Sequence, residues 1–217
     1  AGGGDYRDAV SDHQRNDYVR AIRSLEQALA ANPTFPEALE LYPVVFNEAQ
    51  AHYNRIIQDH ESRDDRQSAD QIHSAYVDLQ NIHTMAQRGN HRIVSTEDFS
   101  SQVQQAASTA GQRWFDYGLQ QFNQGKREHY KQAADAFERA KQRDPQIDEI
   151  DQWITDALDN ATFTLMVVGI GPDAAFHTLV LNDIKSTFAS DRFIKVIETE
   201  SFSDTGPLVG PTDLAVG

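Results

Sequence analysis

Twice in this chain a small residue, a large apolar residue, a second small residue and a proline stand at offsets 0, 4, 7 and 12. The first set is Ala21, Leu25, Ala28 and Pro33; the second is Ala133, Phe137, Ala140 and Pro145. On a helix, offsets 0, 4 and 7 share one face, so the small residues admit a neighbouring helix and the Leu or Phe fills the gap between. The proline then ends that helix and opens the next. A chain marked in this way folds first into paired helices.

Apolar spacing extends the pattern. Helices are expected near 5–15 and 17–31 with a turn at Asn16-Asp17, and over 36–59, where Pro43 should kink or divide the helix. Further helices are expected near 66–88, ended by Gly89-Asn90, then over 96–124 and 146–160. In the 66–88 segment Ile72, Ala75, Leu79, Ile82 and Ala86 recur at steps of three and four, the seam of an antiparallel pair. His52, His73 and His83 are expected on helix flanks.

Around the second signature, Trp114, Tyr117, Gly118 and Gly125 stand at offsets 0, 3, 4 and 11. With Ala133, Phe137, Ala140 and Pro145 they resemble a tetratricopeptide unit, with the turn near Lys126–His129 enlarged by three residues. The first signature resembles the same family through Ala9, Ala21, Leu25, Ala28 and Pro33, without the aromatic anchors of the family's first helix. The resemblance covers about 1–33 and 114–160. It implies a protein-binding groove lined by the first helix of each unit: Tyr6, Val10 and His13, and Gln112, Phe115, Leu119, Phe122 and Asn123. A competing reading packs Phe115 and Phe122 as core against the long helices. The Lys and Asn pairs with which some family members clamp a C-terminal carboxylate are missing.

The net charge of −14 comes from 22 Asp and 11 Glu against 14 Arg and 5 Lys. An Asp-rich, Lys-poor surface fits either an acidic protein or adaptation to high salt, where screening relieves self-repulsion. No basic face is present to release counterions from nucleic acid, so nucleic acid is not an expected partner. The absence of cysteine removes disulfides and thiolate metal sites. No two histidines stand three or four apart, and no nucleophile elbow or H-E-x-x-H motif occurs, so neither a metal nor an enzymatic activity is expected.

Past residue 160 the texture changes. Thr162–Ile170 is β-branched and apolar, as a buried strand should be. A helix near 173–189 follows, with Phe176, Leu179, Val180, Ile184 and Phe188 on its inner face, and then a strand over Arg192–Glu198. This β-α-β unit is expected to be a partial α/β domain at 161–217, after a helical domain at 1–160. Gly169-Ile-Gly171-Pro-Asp-Ala174 between strand and helix, with Glu198 closing the next strand, fits a G-x-G-x-x-A dinucleotide turn. Against it, Pro172 removes an amide and Asp173 adds negative charge where a phosphate would lie.

The helix leading into Arg192-Phe-Ile-Lys-Val-Ile-Glu198 is also similar to the amino-terminal α/β domain of the curli-secretion lipoprotein and Tol translocation protein families. In those families a further helix, here of the Pro211–Gly217 type, comes next. That resemblance implies a bacterial envelope protein. The start Ala1-Gly-Gly-Gly4 and the end Asp213–Gly217, which reads as the opening of a helix, raise the expectation of a processed or cut chain. A lipidated cysteine before Ala1 would be its membrane contact.

The sequence thus predicts a mostly α protein: tetratricopeptide-like hairpins with long helices, then a partial β-α-β unit. Its expected role is a non-enzymatic, cofactor-free scaffold or adaptor of the bacterial cell envelope, a periplasmic or outer-membrane lipoprotein that binds a protein or peptide. The alternative is a nucleotide-binding protein using Gly169, Gly171 and Glu198. Self-association through the apolar grooves is a third option.

Overall fold

The computed structural model describes residues 2–89, 93–168, 174–199 and 214–216. Among these are eight helices and a small parallel sheet. The chain divides into two compact units, Ala1–Arg113 and Trp114–Gly217. The change of texture at 160/161 is therefore a change of secondary structure inside the second unit.

In the first unit α1 (Gly3–Gln14) pairs with α2 (Tyr18–Ala31), and α3 (Pro36–Glu61) pairs with α4 (Arg66–Gly89). Helix α2 also packs on α3 and α4, so the two hairpins stack through it. The first turn is tight because Asn16 takes the left-handed conformation, φ 58°, which its short side chain tolerates. Asp17 then caps α2 by accepting the Arg20 N–H at 3.3 Å. Asn32 ends α2 in extended backbone and Pro36 starts α3. Ala21, Leu25 and Ala28 are all completely buried, as the small-large-small face requires. Pro43 does not divide α3, which continues through it as one helix of 26 residues.

Two sequence expectations change here. Helix α5 (Ser100–Phe122) starts at Ser100 rather than near 96, because the backbone ahead of it is bonded elsewhere. The Glu97 N–H donates to His83 Nδ1 at 2.8 Å, and the Phe99 N–H donates to Gln80 Oε1 at 2.5 Å. His83 is consequently not on a helix flank. Its exposure is 0 %, its ring lies between Phe46 and Phe99 at 4.9 and 5.0 Å, and its Nε2 meets the Gln50 amide at 3.0 Å. Because Nδ1 accepts, the imidazole is neutral with its proton on Nε2. The Gln50 atom placed there is Nε2, so a donor–acceptor pair requires that amide turned over to present its oxygen. Burial holds the His83 pKa below the ordinary value of 6.5.

In the second unit α6 (Arg127–Arg143) packs on α7 (Ile150–Ala161). Phe137 is fully buried and lies over Gly118, where an added Cβ would come within 2.5 Å of its ring. Gly118 is thus the point of close approach that the sequence marks. Helix α7 begins at Ile150 rather than 146, since the Gln146 N–H turns back to Asp144 Oδ1 at 3.0 Å and Glu149 adopts φ 57°.

The strands β1 (Phe163–Val168), β2 (Ile194–Thr199) and β3 (Leu214–Val216) form a parallel sheet in the order β2-β1-β3, with α8 (Ala174–Phe188) between the first two. Leu214–Val216 is therefore a strand, not the opening of a helix. A single helical turn is a costly nucleus, whereas an apolar Leu-Ala-Val can bond at once to the free edge of β1. Leu179 is not on the inner face of α8: it is 68 % exposed, and Leu181 is buried instead.

Arg127 ties the sheet to the hairpin. Its Nε donates to the Ala161 carbonyl at 2.9 Å and its Nη2 to the Phe193 carbonyl at 3.1 Å. Arg192 reaches α6 as well, its guanidinium 2.7 Å from Glu138 and 2.6 Å from Asp135.

Candidate functional site

Within the first unit the helix edges leave grooves among the described residues, two of which matter here. The first, about 330 Å³, has a floor of Ile57, Ile72, Tyr76 and Ala106 and a rim that includes Arg63, Gln105 and Arg113. Arg113 is ion-paired with Asp64. At the same end Asp65 caps α4, accepting the Ser68 N–H at 2.9 Å and the Ser68 hydroxyl at 2.7 Å, and these bonds hold its carboxyl below the usual range.

The second groove, about 450 Å³, is formed by the α1–α2 turn, α3 and α4. Asp17, His52, Tyr53, Ile56 and Asp78 line it. Tyr18 stands behind, its ring 5.2 Å from His52 and 6.4 Å from Tyr53. Burial first, and then the charge of Asp17, raise the Asp78 carboxyl above 3.8, while His52 pulls it the other way. Nothing in the linear sequence joins these residues, since Asp17, Tyr53 and Asp78 lie on three separate elements.

The residues of the expected groove fall in both units. In the first, Tyr6 is half-buried with its ring 5.3 Å from Phe35, Val10 is half-buried, and His13 Nε2 meets Glu48 Oε2 at 2.6 Å. These three thus share the face that α1 turns toward its neighbours. Gln112 is exposed. In the second unit Phe115 and Phe122 are half-buried, and both rings lie on Phe137 and Trp153, at distances of 5.4–6.5 Å. That is the packing role which the sequence leaves open beside the groove role. Leu119 packs on the same cluster, and Asn123 is exposed. Of the alternative nucleotide site, Gly169 and Gly171 lie outside the described residues. Glu198 is exposed in β2, opposite Val167 of β1. No group of three metal-ligating side chains converges among the described residues, and none of the described helices is long and apolar enough to cross a membrane.

No protein-family model matches the chain, and no curated protein is similar to it in sequence. Among solved structures, it is similar to the crystal structure of a de novo designed helical repeat protein. The two are 15 % identical, the match covers 70 % of this chain and 73 % of that one, and the TM-score is 0.26. With a TM-score so low, the architecture rests on this chain's own helix packing.

Proposed function

We propose that the chain is a non-enzymatic scaffold or adaptor that binds protein partners along its helical hairpins. The observation that carries this reading is the stacking of two antiparallel hairpins in the first unit with grooves left between their helices. Apolar floors with charged rims suit a peptide or a partner helix. The hairpins are read as tetratricopeptide-like, which the burial of Ala21, Leu25 and Ala28 and the approach of Gly118 to Phe137 support. A peptide-display selection on the full chain tests the function. Enriched peptides should bind one to one and saturably, with Kd near micromolar, about −8 kcal/mol. A surface that enriches nothing saturable sinks the reading.

The same proposal places the protein in the bacterial envelope, held by a lipid anchor. Its support is the Arg192-Phe193 entry into β2, on which the resemblance to the envelope families rests, and the docking of that pair onto α6 through Glu138 and Asp135. Intact mass of the native protein decides it: a lipid-modified N-terminus is expected, and an unmodified cytosolic protein refutes it.

One observation favours a second reading. The order β2-β1-β3 reverses direction beside β1, and ligands of open parallel sheets sit at such reversals, past the carboxyl ends of the strands. Glu198, one residue from the end of β2, stands where an acidic residue would hold a ribose hydroxyl. Calorimetry with NAD or ATP checks it; saturable heat abolished by Gly171→Val would favour nucleotide binding over the scaffold.

A further inference from the structure

We propose that the groove between the α1–α2 turn, α3 and α4 receives a cationic side chain of a protein partner, a guanidinium above all, between Asp17 and Asp78 and against the rings of Tyr53 and His52. The inference rests on the scaffold reading and names the chemistry of its contact.

Three features of the groove converge on a cation. Asp78 is half-buried, yet takes no hydrogen bond and no ion pair among the described residues. A carboxylate drawn out of water ordinarily has a partner. Tyr53 is only 7 % exposed and its hydroxyl likewise has no hydrogen bond among the described residues, although it lines the groove. The ring is buried while the hydroxyl oxygen keeps access to the groove, where it is available to a donor. The basic side chain that lines the groove does not fill the role, because Arg15 is bound to Asp12 at 2.5 Å. Asp17 is engaged with the Arg20 backbone N–H, but its other oxygen lies 3.6 Å from the Arg20 guanidinium, a loose contact that a better donor can replace.

The shape of the donor set selects the kind of cation. Asp17, His52 and Asp78 line the groove but do not converge into a metal shell among the described residues. The two carboxylates are accompanied by aromatic rings, Tyr53 and His52 being 5.2 Å apart at 74°. A flat guanidinium can donate to both carboxylates and lie on a ring, whereas an ammonium is a point charge that keeps more of its water. The raised pKa of Asp78, caused by burial and by Asp17, agrees with two negative groups held together without a counter-charge.

The test uses the full chain and two small probes, N-acetyl-arginine amide and its neutral isostere N-acetyl-citrulline amide, followed by NMR. The arginine probe should give saturable shifts at Asp17, His52, Tyr53 and Asp78, and citrulline should give none there. Asp78→Asn should weaken arginine binding about tenfold, the effect of removing one charge-assisted contact. The same variant should melt at a higher temperature than the parent, because it removes a like-charge neighbour of Asp17; a merely structural aspartate would lower it. Equal shifts with citrulline, or unchanged arginine affinity in Asp78→Asn, overturn the proposal. Display-selected peptides that bind Asp78→Asn as tightly as the parent would also overturn it, while leaving the scaffold reading standing. Arginine binding without any selected peptide would keep the groove and sink the scaffold.

Discussion

In α2 and in α6 the same spaced residues, Ala-Leu-Ala and Ala-Phe-Ala, are completely buried, yet what fixes their neighbours differs. Around Phe137 the immediate neighbours are apolar: Gly118 below it, and the rings of Phe115, Phe122 and Trp153 beside it, with polar ties such as His129–Gln121 and Lys141–Asp151 further out. Around Leu25 the helices are set by polar locks as well. Tyr42 donates to Glu26 at 2.5 Å, and His83 joins α3, α4 and the backbone ahead of α5. One signature thus makes a tight interface whose centre is set by shape in one unit. In the other it leaves room that directional bonds must register. Packing is insensitive to pH, whereas a buried imidazole is not.

The comparison can be broken from either side. The largest effect belongs to Phe137→Ala, which should cost the second unit about 3–5 kcal/mol by opening a cavity in the ring cluster. Both tryptophans, Trp114 and Trp153, lie in that unit, so a denaturant titration read by their fluorescence reports it alone. A cost near zero would mean that the aromatic cluster does not hold the unit together. Gly118→Ala should cost about 1–3 kcal/mol in the same assay, because a Cβ there forces a fully buried ring to move.

The third effect sharpens the contrast through pH. His83 is kept neutral in the folded chain, with its pKa lowered by burial. Below the ordinary 6.5 the unfolded chain therefore binds more protons than the folded one. The contribution of His83 is complete above that value and is lost as pH falls from 6.5 toward the lowered folded value. Asp65 and Asp98, whose pKa values are lowered by bonds from Ser68 and Ser100, lose theirs only below 3.8. The protection of the Glu97 amide, its exchange rate corrected for the intrinsic slowing in acid, should fall between neutral and mildly acidic pH, while tryptophan-detected stability stays flat. A flat response at Glu97 would remove His83 as the lock. The smallest effect is Glu149→Gly, expected to stabilise the second unit by about 0.5–1 kcal/mol by relieving a left-handed non-glycine residue. A thermal melt followed by tryptophan emission measures it.

The hairpins were legible because their marks are local. Ala21, Leu25 and Ala28, or Gly118 and Phe137, declare a helix face by spacing alone, whereas Pro33, read as opening the next helix, lies in the turn and α3 starts at Pro36. What was not legible depends on distant partners. His83 reads as a flank residue until Gln50 and the Glu97 amide are brought to it across the fold. The same bonds delay the start of α5. Leu214–Val216 reads as a helix opening until the edge of β1 supplies its bonds. The groove of Asp17, Tyr53 and Asp78 has no sequence mark at all. Its members come from α3, α4 and a turn, and what distinguishes it is that Tyr53 and Asp78 make no hydrogen bond among the described residues.

Arg127 carries a consequence for time rather than for energy. Its guanidinium holds carbonyls 34 and 66 residues further along the chain. The α6–α7 hairpin closes over short separations and can form early, whereas the parallel β1–β2 pair must await a long crossover. The second carbonyl reaches Arg127 only after that crossover has closed, so its bond belongs to the late side of the folding barrier. Such a contact governs how slowly the native state is left more than how fast it is reached. Arg127, together with Arg192 on Glu138 and Asp135, therefore bears on how long the sheet, once docked, persists.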